Sequence, residues 1–329
     1  MKFSILICTR NSQRLIKEVL DAILKQNCYG DILEVIIVDF KSHDFTLPIS
    51  RTTLAEGNMD LIEVACEDSG KSPALTLGLD VARGDYIVTV DDDNILFPNF
   101  MCEAKIILNT NKIGCVGARG IIDEALMPPS WFLVYQGAYA IGTPPQGKHT
   151  DWVWGAGSII SKDAWNKLRN HGFKLVLNPA RESQSAPIAI GGEDVELSLA
   201  IKLIGFEIVI SENLKFIHKF EQSRLAENYL IKNSLGVSKS VPIHDIYRLV
   251  MYRPNVYFPI LFWYYGILRK IVGCCIRIVR HFVTKNSFNR KFNQAILYGI
   301  FQGFIVFRGQ FSNIHKKLLE LKRMTSERR

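Results

Sequence analysis

The chain has 329 residues, of which 48% are hydrophobic, so it is long enough to bury a large core. Residues 1–212 hold 19 Lys and Arg against 27 Asp and Glu, whereas residues 213–329 hold 21 against 5, so the net charge of +8 hides an acidic part and a basic part. The basic part has no recognised nucleic-acid-binding motif, and its cations lie among apolar residues, which argues against nucleic acid as a partner.

Strands and helices alternate along the first part of the chain. Short apolar runs predict strands, and amphipathic segments between them predict helices. The predicted strands cover 3–8, 33–38, 61–65, 85–90 and 113–118, and the predicted helices begin near Ser12, Ser72 and Pro98. This alternation predicts an α/β fold, with a mostly parallel sheet flanked by helices on both faces.

The regular pattern fails at 119–150 and again at 172–190, where prolines and glycines interrupt it. We expect the first of these segments to be a loop that lines a substrate cleft. Helical spacing returns after Glu193-Asp194, and the last strands are predicted at 208–210 and 214–217.

Residues 236–329 are predicted to form a separate helical region, distinct from a domain at 1–235. Val256–Leu268 is very apolar but only 13 residues long, whereas a membrane-spanning helix needs about 20. A second aromatic-rich helix is predicted at about 292–311, and cations recur between the two segments. The pattern favours helices that lie in a membrane interface, with cations towards anionic lipid. The alternative is a helical subdomain packed on the sheet or on a second subunit.

The seven cysteines show no CxxC pair and no zinc-ligand spacing, so we interpret them as buried thiols in a reducing compartment. The apolar run before Thr9 is six residues long, too short for the core of a signal peptide. We therefore expect catalysis on the cytoplasmic side, with the chain peripheral to the membrane, or simply cytoplasmic if the C-terminal helices do not bind lipid.

Acidic and polar residues follow several of the predicted strands. Asp91, Asp92 and Asp93 come directly after an apolar run, and clustered carboxylates repel unless something offsets their charge. A divalent cation that holds a diphosphate is one candidate, because hard cations take oxygen ligands. The alternative is a solvated acidic turn. Thr9-Arg10-Asn11 and Asp39 also follow strands, and we expect these three clusters to meet at one edge of a parallel sheet.

With Gly192-Glu193-Asp194 further along the chain, these ordered motifs resemble the family 2 glycosyltransferases of the GT-A fold, over residues 3–235. The resemblance implies a Rossmann-like GT-A domain, an inverting reaction with a nucleotide-sugar donor, and Mg²⁺ or Mn²⁺ as cofactor. It implies a metal site of Asp91, Asp93 and His218, and donor contacts from the following residues: Thr9, Arg10, Asn11, Asp39, Asp91, Asp92 and Arg181.

Asp194 is the general base that the resemblance implies, and Glu193 would orient the loop or contact the acceptor. An acid at a helix start is also a common N-cap, and a lone His or Trp is often structural. These alternatives stay open for Asp194, for His218, and for Trp152 and Trp154 as sugar-stacking residues. Arg181 would close over the donor or lie at the surface, and Arg224 would contact a phosphate of donor or acceptor.

One segment departs from the family pattern. Many relatives have Ala-Arg-Asn before the glycine of the third helix, where this chain has Ala74-Leu75-Thr76. Lys71 is a candidate to replace the missing positive charge.

The function that these patterns favour is transfer of a sugar, from a UDP-sugar in our interpretation, to a saccharide or lipid-linked saccharide in cell-surface polysaccharide synthesis. A sugar nucleotidyltransferase is a weaker alternative, because the loop after the first strand has no glycine. A non-catalytic, membrane-associated scaffold is the other alternative, and the intact acidic motifs argue against it.

Overall fold

A computed structural model describes residues 1–68, 70–109, 112–146, 150–177 and 190–326. The strands are β1 (Phe3–Thr9), β2 (Ile32–Asp39), β3 (Leu61–Ala65), β4 (Tyr86–Thr89), β5 (Asn94–Leu96), β6 (Ile113–Ile122), β7 (Ile159–Ser161) and β8 (Glu207–His218). The helices are α1 (Ile16–Leu24), α2 (Thr46–Glu56), α3 (Lys71–Val81), α4 (Phe100–Ile107), α5 (Phe132–Tyr135), α6 (Lys162–Asn170), α7 (Glu193–Leu203), α8 (Glu227–Ser238), α9 (Val241–Tyr252), α10 (Pro259–Val283), α11 (Ser287–Phe307) and α12 (Phe311–Ser326).

The described strands form one sheet in the order β3-β2-β1-β4-β7-β6-β8-β5. β1 to β4 are parallel to one another, and β6 is parallel to β8. The α/β fold is confirmed, but the sheet is mixed, because β7 is antiparallel to both β4 and β6, and β5 is antiparallel to β8.

Both faces of the sheet are covered, as the apolar runs predict. Alternate residues of β1 point to opposite faces: Ile5 and Ile7 pack with α1 and α4, whereas Leu6 packs with α3 and α7. All three side chains are buried. This two-sided burial explains why β1 and β2 are almost continuous apolar runs in the sequence.

The C-terminal helices share a core with the sheet. Ile243 and Tyr247 of α9 are fully buried in the same cluster as Leu6. α10 is a continuous helix of 25 residues, longer than the predicted apolar segment, because it continues beyond Leu268 to Val283. Pro259 is its first residue, a position that proline favours. By length and composition alone, α10 could cross a bilayer, and 17% of its most apolar window is buried.

The interpretation of all seven cysteines as buried thiols is wrong for three residues. Cys28 and Cys102 form a disulfide between the loop after α1 and helix α4. Cys275 is also not buried but exposed on α10. The sequence separation of 74 residues hides the pairing, which depends on the α1 and α4 segments packing side by side.

Candidate active site

Three neighbouring parallel strands end at the same edge of the sheet. Thr9 at the end of β1 pairs in register with Asp39 at the end of β2. β4 lies on the other side of β1, and Asp91–Asp93 follow it directly. The structure therefore brings the three predicted clusters to one edge.

One carboxylate oxygen of Asp39 has no protein partner. Oδ2 accepts a hydrogen bond from the backbone amide of Ser42 at 3.1 Å, whereas Oδ1 is buried and contacts no donor among the described residues. Leaving a buried acceptor unsatisfied costs about 1–3 kcal/mol. This oxygen is therefore suited to accept a hydrogen bond from a bound ligand.

The loop after β1 is held by side-chain hydrogen bonds. Thr9 donates to Asp92 Oδ2 at 2.6 Å, and burial raises the pKa of Asp92 to about 6. Asn11 has a left-handed backbone, with φ of 57°, and its side-chain oxygen accepts from the amide of His43. Arg10 is exposed. Thr9, Asn11 and Asp92 thus shape this edge, and Arg10 is accessible to a ligand.

Asp93 lies between two basic side chains. His218 Nε2 is 3.3 Å from Asp93 Oδ1, and Arg224 donates to Asp93 Oδ2 at 3.3 Å. Burial opposes ionisation of both Asp93 and His218, but their interaction prevails, so the pKa of Asp93 is lowered and that of His218 is raised. His218 Nδ1 lies 2.8 Å from the carbonyl oxygen of Tyr139, to which its N–H donates, so Nε2 faces Asp93.

Asp91 is oriented differently from Asp93. Its carboxylate accepts a hydrogen bond from the ammonium group of Lys71, at the start of α3. Burial alone would lower the pKa of Lys71, but the charges of Asp91 and Glu193 outweigh burial and raise it. Lys71 therefore supplies positive charge beside the acids, while Leu75, one turn further along α3, is buried.

The acidic pair Glu193-Asp194 begins helix α7. Gly192 occupies the N-cap position with φ of 102°, so Asp194 is not the N-cap. Asp194 Oδ2 accepts from the amide of Gly155 at 2.9 Å, and Oδ1 accepts from the amide of Val195 at 2.8 Å. Burial raises the pKa of both Glu193 and Asp194, and the charge of Lys71 opposes this rise. A carboxylate with a raised pKa is a better proton acceptor.

A single cleft of about 780 Å³ is lined by several of these groups, although Asp39 and Asp93 are not among its lining residues. The side chains that matter for chemistry along its wall are Lys71, Asp91, Trp152, Trp154, Glu193, Asp194, His218 and Arg224. Trp152 and Trp154 are half-buried, so part of each ring is available for stacking. Asp91 and the pair Glu193-Asp194, which are far apart in the chain, therefore face one cavity.

Helix α9 fixes the position of the residues at the start of α7. The buried His244 contacts the carbonyl oxygen of Gly192 at 3.0 Å, and Tyr247 donates to Glu196 at 2.8 Å. Burial lowers the pKa of His244 to about 3, so its ring is neutral and donates to that carbonyl. The sequence did not predict these contacts, because His244 and Tyr247 belong to no local motif. Their spacing of three residues indicates only that both lie on the same face of a helix.

Two predictions about the site stay predictions. Arg181 lies outside the described residues. For the metal site, Asp91 pairs with Lys71 and Asp93 pairs with His218, and the described residues contain no group of three acidic, His or Cys side chains that could hold a metal. Asp93 and His218 are the two that the structure brings together.

Comparison with known proteins identifies the N-terminal half. Residues 4–163 match the model of glycosyl transferase family 2. The matched segment, just under half of the chain, is similar to that family, and we call it the family 2 region. The family 2 region includes β1, β2, β4 and the three acids that follow β4, whereas Glu193, Asp194 and His218 lie beyond the matched residues.

Relatives of the chain by sequence are named as glycosyltransferases. The chain is 30% identical over 129 residues to a poly(ribitol-phosphate) β-glucosyltransferase of Bacillus spizizenii, covering 37% of this chain and 20% of the relative. It is 27% identical over 128 residues to the poly(ribitol-phosphate) β-N-acetylglucosaminyltransferase TarS of Staphylococcus aureus, covering 37% and 22%. It is 27% identical over 138 residues to a glucosyl-dolichyl phosphate glucuronosyltransferase of Haloferax volcanii, covering 40% and 42%. The chain thus spans less than half the length of these relatives.

Solved structures establish the fold. A mannosyltransferase from Pyrobaculum calidifontis, in complex with GDP-Man and Mn²⁺, matches with a TM-score of 0.56 and 16% identity, over 93% of this chain and 86% of that one. Residues 1–349 of S. aureus TarS match with a TM-score of 0.50 and 15% identity, over 99% and 90%. At such identities the likeness shows the fold alone, and it is the GT-A fold.

Proposed function

We propose that this chain is an inverting glycosyltransferase that transfers a sugar from a nucleotide-sugar donor to a saccharide or lipid-linked saccharide acceptor. The observation that carries the proposal is the single cleft, in which Asp194 faces the same space as His218, Arg224 and Asp91. A transfer of this kind needs a proton acceptor and a site for a leaving diphosphate in one cavity, and this cleft offers candidates for both.

Asp194 is the proposed general base. An acceptor hydroxyl oxygen attacks the anomeric carbon, the bond from that carbon to the diphosphate breaks, and the hydroxyl proton passes to Asp194. The nucleoside diphosphate leaves with the bonding electron pair. The amides of Gly155 and Val195 hold the carboxylate in position, and burial favours proton uptake. Because one displacement occurs, the anomeric configuration inverts.

Asp93, His218 and Arg224 form the proposed diphosphate end of the cleft. Asp93 and His218 present a carboxylate oxygen and a ring nitrogen 3.3 Å apart. The carboxylate oxygen suits Mg²⁺ or Mn²⁺, and the softer ring nitrogen favours Mn²⁺ of the two. The hydrogen bond from His218 to the Tyr139 carbonyl orients the ring, as is common for metal-ligating His. When bound, the cation supplies charge that stabilises the departing diphosphate. Arg224, beside Asp93, is positioned to bind a phosphate oxygen.

Asp39 is the proposed contact for the nucleobase. Its unpartnered Oδ1 can accept from a ring N–H such as that of uracil, and we propose a UDP-sugar as the donor. Thr9, Asn11 and Asp92 shape the adjoining loop, and Arg10 lies at its exposed side.

The proposed acceptor belongs to cell-surface polysaccharide synthesis. Two relatives are named for transfer to poly(ribitol-phosphate), and a third for action on glucosyl-dolichyl phosphate. Both names describe phosphate-bearing acceptors, one a polymer and one a lipid. Trp152 and Trp154 in the cleft wall suit stacking on a sugar ring. We place the reaction at the cytoplasmic face of the membrane, with residues 1–235 as the transferase domain and residues 236–329 as the membrane-associated region.

A binding screen tests this function directly. Thermal unfolding is followed with each common nucleotide sugar, with and without Mn²⁺, for wild type and for Asp93→Ala. At a hundredfold excess over Kd, a ligand that binds only the folded chain stabilises it by about 2.7 kcal/mol. We expect a metal-dependent shift for one donor in wild type and its loss in the variant.

Asp163→Ala is the matched control for this screen, because Asp163 is an exposed acid on α6. It should retain the wild-type shift. Equal shifts in wild type and Asp93→Ala would remove Asp93 from the donor site, and no shift with any nucleotide sugar would contradict the proposed function.

A further inference from the structure

Helix α10 carries an exposed apolar stripe along most of its length. The stripe consists of Leu261, Tyr265, Leu268, Val272, Ile276 and Val279, which are between 48% and 64% exposed. Successive members are three or four residues apart, so they lie on one face of the helix. Contiguous apolar surface on this scale usually marks an interaction site.

The opposite face of α10 is fixed to the protein. Trp263 is buried and donates to the carbonyl oxygen of Pro242 on α9, and Lys270 pairs with Asp245 at 2.6 Å. Near the other end, Arg277 donates to Asn293 of α11 at 2.6 Å. α10 is therefore held against neighbouring helices from Trp263 to Arg277.

α11 is in turn packed closely on α8. A Cβ on Gly299 would come within 2.6 Å of the carbonyl oxygen of Leu235, and one on Gly303 within 2.0 Å of that of Lys239. The absence of side chains at these two positions lets the helices approach. The α10–α11 pair is thus joined to the rest of the protein. This attachment favours an α10 that lies on a membrane surface over an α10 that crosses the bilayer.

Cations border the apolar stripe. Arg269 and Arg280 are exposed on α10, and helical geometry places both along one edge of the stripe. Arg253 lies over the ring of Phe262 at 4.8 Å, at the N-terminal end of the same surface. Residues 213–329 hold 21 Lys and Arg against 5 Asp and Glu, so the surrounding region also carries a positive net charge. Two copies of this face would oppose like charges, which disfavours self-association.

We propose that the exposed stripe of α10 docks on an anionic bilayer surface. The helix lies parallel to the membrane plane, with its apolar side chains among the acyl chains and Arg269 and Arg280 at the lipid headgroups. α9 and α11 also line the active-site cleft through His244, Arg248 and Ile296. Docking therefore brings the cleft close to the membrane, where a lipid-linked acceptor would be presented; this last step rests on the proposed function.

Vesicle flotation of the full chain tests the docking surface. We expect the protein to float with vesicles that contain phosphatidylglycerol, and less with phosphatidylcholine alone or at high salt. Ile276→Asp, which puts a charge in the stripe, should lower vesicle partitioning about tenfold or more. Arg280→Glu should reduce binding only to the anionic vesicles.

Ile106→Asp is the matched control, because Ile106 is 71% exposed on α4, away from the stripe, and Ile276 is 64% exposed. Thermal unfolding checks that both variants fold. Equal flotation of the two variants, or no flotation of wild type, would overturn the proposal. So would a change from dimer to monomer in Ile276→Asp without any vesicle binding. Donor-induced stabilisation without vesicles reports on the proposed transferase separately, so the two proposals can fail independently.

Discussion

Asp39 shows how a single unsatisfied atom indicates a ligand. Its Oδ1 is one of the two buried side-chain atoms in the described residues that have no hydrogen-bond partner. Buried polar groups in folded proteins are almost always paired, so an exception at a strand end calls for a partner that the chain itself does not supply. A nucleobase N–H would meet this need.

Replacing Asp39 should weaken donor binding. A hydrogen bond to a charged group contributes about 1.5–3 kcal/mol, so Asp39→Ala is expected to raise the Kd for the nucleoside diphosphate about 10- to 100-fold. Calorimetric titration in the presence of Mn²⁺ measures this change. Glu56→Ala removes an exposed acid from α2 and should leave the Kd unaltered. If both variants bind as wild type does, Asp39 has no contact with the nucleotide.

At the scale of elements, α7 and α9 are coupled through a buried carboxylate. Glu196 accepts hydrogen bonds from the amides of Val176 and Leu177 and from the hydroxyl of Tyr247. Burial nevertheless raises the pKa of Glu196 from its usual 4.5 to about 7. The folded chain therefore binds this proton more tightly than the unfolded chain, which links the stability of the α7–α9 contact to pH.

The stabilisation from Glu196 should be largest below pH 4.5 and should disappear as the pH rises to about 7. Glu196→Gln cannot titrate, so the free energy of unfolding of wild type minus that of the variant should fall by about 3 kcal/mol across this range. Urea unfolding at a series of pH values measures the difference. Glu207→Gln, an exposed site, should give a flat difference, and a flat difference for Glu196→Gln would contradict the pKa assignment.

The contact between α8 and α11 depends on glycine. Gly303→Ala would place a methyl group against the backbone of Lys239, and overpacking of this kind typically costs about 1–3 kcal/mol. Gly266→Ala on α10 meets no atom within 4 Å and should instead stabilise its helix by about 0.5–1 kcal/mol. Urea midpoints compare the two variants, and an unchanged midpoint in Gly303→Ala would show that α11 can move away from α8.

Sequence reasoning located elements where one local pattern decides the structure. β1, β2 and β4 are apolar runs between turns, and their ends placed the acids at one edge of the sheet. β5 was missed because it has only three residues directly after the acids. The loop expected at 119–150 contains the remainder of β6 and the short helix α5. The sequence did not predict helix α2. Three of its buried residues, Thr46, Ser50 and Thr53, are polar, so the segment has no clear apolar face.

The residues of the candidate site at strand ends could be predicted from the sequence, but their contacts could not. Strand ends indicated Asp39, Asp91 and Asp93, but the pairing of Asp91 with Lys71 depends on how α3 packs beside β4. His244 and Tyr247 lie some 50 residues after the acids they support. Such contacts arise from tertiary packing, so no local spacing predicts them.

Across the whole molecule, the boundary between the acidic and the basic part of the chain is not a boundary of the hydrophobic core. The net charge changes sign near residue 212, yet one buried cluster includes Leu6 of β1, Leu197 of α7 and Trp263 of α10. The basic helices are therefore continuous with the core that supports the cleft. A boundary at residue 235 stays a prediction, and in our account the two regions act together, one binding the donor and the other orienting the cleft towards lipid.

The most direct test of the shared cleft is turnover by Asp194→Asn. Release of nucleoside diphosphate and formation of glycosylated acceptor are measured with Mn²⁺ for wild type, Asp194→Asn and the exposed-site control Asp163→Asn. We expect Asp194→Asn to bind the donor as wild type does and to lose about 10²- to 10⁴-fold in kcat, while the control keeps full activity. Wild-type turnover in Asp194→Asn would contradict the assignment of the base, and with it the account of this cleft as the site of sugar transfer.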